Sequence, residues 1–227
     1  MDRDFSWGGY FSLWLFGIAF GYVEASVVVY LRSVYGLDGE PLFPLITELT
    51  DDQSTLTRIE ALREFATLIL MFSPAYLFSR RKLYRFMAYG IVFGIWDLFF
   101  YLFLKLQLDW PNSLFTYDVL FLIPTVWVSP VLCPLLISGS LVFFGSTYLS
   151  FSGSRVARQP TITHWLLGVV GGALVLYSFT NQSAYYLAGG LPPRFSWGIF
   201  GTGYGLAFLA AFHFFYQYRQ KVRARFS

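Results

Sequence analysis

Charge is scarce in this chain, and acid is missing altogether after Asp118. Only 13% of the 227 residues are charged, and all 13 acidic residues lie at or before Asp118. Soluble domains average about 25% charged residues, so a water-exposed globular fold is excluded. A single cysteine, Cys133, excludes an intrachain disulfide framework and a paired-thiol redox motif. Set between Leu132 and Pro134 in an apolar run, it reads as a small buried hydrophobe. Two histidines, His164 and His213, are too few and wrongly spaced for a metalloprotease motif. No phosphate-binding glycine loop, dinucleotide fingerprint or nucleophile elbow is present, and neither is a soluble catalytic domain or an internal repeat.

What is present is apolar surface. Hydrophobic residues make up 56% of the chain and aromatics 22%, with mean hydropathy +0.54. The expected fold is an all-α polytopic membrane bundle of six crossings, a single integral domain over 1–227. Each crossing needs about 20 apolar residues. The expected spans are Trp7–Leu31, Thr57–Phe78, Leu83–Leu104, one within Tyr117–Phe151, His164–Thr180 and Trp197–Tyr218. Met-Asp-Arg-Asp is not the basic start of a signal peptide, so the first apolar run is kept as a span. Segment 4, residues 117–151, contains Pro124, Pro130 and Pro134 and should be broken, since each proline removes a donor and clashes with the preceding turn. It could be an outer half-helix followed by one span, or a tight hairpin crossing twice.

Basic residues choose between these. Cytoplasmic loops are enriched in Lys and Arg. With one crossing in segment 4, Arg3, Arg80, Arg81, Lys82, Arg85, Arg155, Arg158 and the tail (219–227, with Arg219, Lys221, Arg223 and Arg225) share one side. That gathers 11 of the 16 basic residues. The reading is N-in, C-in, in a bacterial or archaeal plasma membrane, with the tail against anionic lipid rather than nucleic acid. The loop at 33–56 carries a short apolar pattern (Leu42, Phe43, Leu45, Ile46, Leu49) and would lie over the outer mouth as a lid or rest at the interface.

In that frame Glu24, Glu60, Glu64, Asp97 and Asp118 all fall toward the outer side. An acid in hydrocarbon costs roughly 2.5–3.5 kcal/mol on insertion scales, so each needs a partner or a function. Glu60 and Glu64 share a helix face, and Arg63 would set the charge of the group. Two chemistries fit: a proton relay or polar-substrate site, and a hard divalent cation on Glu24, Glu64, Asp97 and Asp118. Trp96, Tyr101, Pro124, Trp127 and Pro130 are the expected cavity walls. Structural pairing with Arg32, Arg58, Arg63, Lys105 and Arg194 is the competing account, and Thr57-x-x-Glu60 also matches a helix capping box. A haem between His164 and His213 is not expected, because their depths in spans 5 and 6 match poorly. Gly201-x-x-x-Gly205 offers close helix packing, within the chain or against an oligomeric or complex partner. The expected activity is transport or ion handling. Membrane-embedded chemistry on a lipid, quinone or isoprenoid-like substrate, or a non-catalytic subunit role, are the alternatives.

Overall fold

The computed structural model describes residues 6–35, 51–151, 159–187 and 194–226, with side chains undescribed at a few helix ends. Within them the chain forms α1 (Trp7–Tyr35), α2 (Asp51–Phe78), α3 (Lys82–Leu108), β1 (Tyr117–Phe121), β2 (Trp127–Pro130), α4 (Leu132–Phe151), α5 (Ile162–Thr180), the short α6 (Ser183–Leu187) and α7 (Trp197–Phe226). Six helices are long and apolar enough to cross a membrane, as a multi-pass membrane protein requires. Many large side chains point outward, such as Leu62, Leu77 and Val169. An apolar solvent makes that arrangement inexpensive.

The helices alternate in direction. Tyr10 at the start of α1 donates to Ser146 near the end of α4 (2.8 Å). Phe86 of early α3 meets Trp165 of early α5. The starts of α1, α3 and α5 therefore share one end of the bundle with the close of α2, α4 and α7. Arg80, Arg81, Lys82 and Arg85 lie there, making it the basic end. The buried core runs along α3, which packs against α1, α2 and α4. Gly21 makes the α1–α3 approach possible: a Cβ there would sit 2.8 Å from the Trp96 carbonyl oxygen.

Four expectations change. The outer part of segment 4 is neither a half-helix nor a second crossing but an antiparallel β-hairpin. It pairs Tyr117 with Pro130, Asp118 with Ser129 and Val119 with Val128, with an irregularity between Val119 and Phe121. Pro130 ends its strand, and the cis Ile123–Pro124 bond lies in its turn. A hairpin satisfies most of its own backbone groups, so it can close the bundle where a proline-broken helix would leave them open. Second, α2 starts at Asp51, so Thr57 lies inside the helix and is no cap for Glu60. Third, the α5–α7 crossing uses Gly171 and Gly203. A Cβ on either would come within 2.7 Å of the other's carbonyl oxygen, whereas Gly201 and Gly205 have open space. Fourth, the depth mismatch between the histidines is wrong. His213 Nδ1 lies 3.2 Å from His164 Nε2, with the rings stacked. Helix α7 continues to Phe226, past the expected end of span 6, so His213 meets the first turn of α5 at the basic end. The proposed lid lies mostly outside the described residues; its last residues, 51–56, open α2.

Candidate functional site

At the opposite end the bundle encloses a cavity of about 400 Å³ between α1, α2, α3, α4, α5 and the hairpin. All five acids line it, and all five are buried. The α2 contribution comes from Glu60, Arg63, Glu64 and Thr67, spaced so that one helix face presents all four. Asp97 enters from α3, Glu24 from α1 and Asp118 from β1.

The acids are held differently. Arg63 bridges Glu24 and Glu60. Its Nε donates to Glu60 Oε2 at 2.8 Å, a second guanidinium nitrogen reaches Glu60 Oε1, and a third pairs with Glu24. Glu24 also accepts from the Thr67 hydroxyl at 2.9 Å. Asp118 accepts from the Tyr101 hydroxyl (2.8 Å) and the Val119 N–H (2.9 Å), and Arg32 acts on it electrostatically. Burial nonetheless pushes its carboxyl up to about 6, since desolvation outweighs those favourable contacts.

Glu64 and Asp97, like Asp118, have only neutral hydrogen-bond donors among the described residues, and Arg63 acts on Glu64 electrostatically. The Leu122 N–H, in the hairpin turn, donates to Glu64 at 2.8 Å, and the Ser138 hydroxyl donates to Asp97 at 2.8 Å. Each keeps one carboxylate oxygen without a hydrogen bond among the described residues. The cavity therefore contains two arginines, Arg32 and Arg63, against five carboxylates.

Trp96, Tyr101 and Trp127 line the cavity; Pro124 and Pro130 do not. Pro124 is exposed in the hairpin turn, while Pro130 is buried at the strand end. Between the acids the wall is mostly apolar, with Phe93, Phe100, Trp110 and Phe179 among its residues. The indole N–H groups of Trp96 and Trp110, each in a residue 7% exposed, have no acceptor among the described residues.

Among the described residues no three of His, Cys, Asp and Glu come together as a metal-binding group. Glu24, Glu64, Asp97 and Asp118 share a cavity, but each is tied to a different point on its wall. Comparison with protein-family models, curated proteins and solved structures finds no match.

Sequence reasoning missed Thr67, Ser138, Arg32 as a wall residue, and the α5 surface of Gly172, Val175 and Phe179. Thr67 was findable, because it lies one turn beyond Arg63 on the same face. Ser138 and α5 carried no signal, since only the bundle's rotation brings them to the acids.

Proposed function

We propose that this is a multi-pass protein of a plasma membrane, with both termini cytoplasmic, whose outward-facing cavity binds a cation or polar substrate for transport. The observation supporting this reading is the shared cavity: five buried acids from four elements line one space, and three of them, Glu64, Asp97 and Asp118, form no ion pair among the described residues. Desolvated carboxylates of this kind are typical of substrate and proton pathways through bilayers. The orientation rests on the basic end facing the cytoplasm. The proline-rich stretch before α4 is then the outer closure of the cavity.

Glu64 and Asp97 carry the binding or proton-transfer role. Glu24, Glu60 and Arg63 form the structural ion-pair group, and Asp118 supports the hairpin. Proteoliposome uptake of small cations (sodium, potassium, guanidinium, ethylammonium) tests this. Uptake above empty liposomes, abolished by Glu64→Gln and Asp97→Asn in folded protein, is expected. Uptake unchanged in both variants removes the assigned roles.

The largely aromatic wall favours a second reading, chemistry on a lipid-like molecule. Product formation without net uptake would select it. The open faces of Gly201 and Gly205 remain the proposed surface for a second copy or a complex partner.

A further inference from the structure

The helices around the cavity do not close it evenly. Helix α2 packs against α3 and α1, and α5 packs against α7 and β2. Both α2 and α5 line the cavity, yet among the described residues they share no extensive packing interface. Leu176 of α5 is a wall residue and is also 44% exposed on the bundle surface. Gly172, one turn earlier, lines the same wall, and a Cβ there would meet nothing within 4 Å. The wall thus reaches the lipid-facing surface between α2 and α5, at the level of the acids.

Resting on the cavity reading above, we propose that the ligand is a single-chain amphiphile with a cationic amine head, entering sideways from the bilayer between α2 and α5. The head lies between Glu64 and Asp97, the two helix-borne acids that form no ion pair among the described residues. Phe93, Trp96 and Phe100 give its neighbourhood the aromatic faces that attract organic cations. The unpartnered N–H groups of Trp96 and Trp110 would accept no cation, but suit an acceptor oxygen beside the amine. The chain lies along Gly172 and Leu176 and extends into lipid. Arg63 does not repel the head, because Glu24 and Glu60 already neutralise it.

Calorimetric titration of the full chain in lipid nanodiscs tests this with four probes: dodecylammonium, methylammonium, dodecanoate and 1-dodecanol. The Glu64→Gln/Asp97→Asn double variant serves as the blank for partitioning into lipid. Dodecylammonium should bind saturably, one per chain, and at least about 100-fold more tightly than methylammonium, the equivalent of burying about four methylenes. Dodecanoate should not bind. Gly172→Leu, whose Cβ would meet nothing within 4 Å, should weaken dodecylammonium at least about tenfold while leaving the unfolding midpoint unchanged.

Three results overturn the proposal while sparing the cavity reading. Dodecanol or dodecanoate binding as tightly as the amine removes the cationic head. Methylammonium binding as tightly removes the chain. Unchanged binding in folded Gly172→Leu removes the lateral entry. If none of the four probes binds folded protein saturably, the proposal and the cavity reading both fall.

Discussion

Replacing Arg63 by methionine separates acids that serve the fold from acids available to a ligand. Methionine keeps most of the apolar stem but removes the guanidinium that joins Glu24 and Glu60. Both acids are buried, at 5% and 8% exposure, and would be left facing each other without a counterion. Removing one partner of a buried pair costs about 3–5 kcal/mol. The Arg63 side chain is 26% exposed, so water already screens part of the interaction, and about 2–4 kcal/mol is the expected loss.

Neutralising the stranded acids should restore stability. The triple variant Arg63→Met, Glu24→Gln, Glu60→Gln should recover at least about half of that loss, because the desolvated charges are gone. Glu64→Gln, by contrast, keeps an oxygen to accept from the Leu122 N–H and should cost no more than about 1 kcal/mol. Reversible unfolding in bicelles, read by tryptophan fluorescence, measures all three. A loss below about 1 kcal/mol in Arg63→Met, or a triple variant no more stable than the single one, would refute the assignment.

Three further outcomes follow from the same geometry. The Asp118 carboxyl, held at about 6 against an ordinary 3.8, binds its proton more tightly in the folded state. Its contribution therefore makes the fold more stable as pH falls through about 6 and levels off below the ordinary value. An infrared carboxyl band, lost in Asp118→Asn, should titrate near that pH and move higher in Tyr101→Phe, which removes a donor to the anion. Gly171→Leu should disrupt the α5–α7 crossing and cost more than about 2 kcal/mol, while Gly201→Leu should stay within about 0.5 kcal/mol in the monomer; unfolding of the two side by side decides it. On a Cys133→Ala background, single cysteines at Ser227 and Ser113 should be labelled by an impermeant thiol reagent from opposite faces of the membrane. Labelling of both from the same face would overturn the six-crossing orientation.

The spans were legible because hydrocarbon thickness imposes length and composition directly on the chain. Runs such as Leu83–Leu104 and Trp197–Tyr218 leave few alternatives. The meeting of the acids was legible as far as depth, since alternating crossings put Glu24, Glu64 and Asp97 at one level. Their rotation was not, and neither was the distinction among them. That Arg63 reaches Glu24 as well as its neighbour Glu60, and that Glu64 reaches the backbone of Leu122, depends on contacts between residues dozens of positions apart. The hairpin was misread because proline was weighed only as a helix breaker. Tyr117–Phe121 and Trp127–Pro130 also carry the aromatic and β-branched residues that suit a pleated surface. The histidines were misplaced for a simpler reason: the depth of a residue was counted from an assumed helix end, and α7 runs further.

The distribution of partners also explains why no acid follows Asp118 in the sequence. Helices α4 and α5 face the cavity with small, hydroxyl or apolar groups such as Ser138, Gly172 and Phe179, whereas α1, α2, α3 and β1 supply the carboxylates. An acid on α5 would stand at the lipid-facing opening, away from Arg63 and Arg32, and would bear the full insertion cost. The asymmetry therefore gives the cavity a charged inner wall and an apolar flank toward the bilayer. Val175→Asp, which moves acid across that divide, should destabilise the fold by at least about 2 kcal/mol in the bicelle assay. Full tolerance of that change would mean that the α5 wall is in contact with water, and that the cavity opens to the aqueous side rather than to lipid.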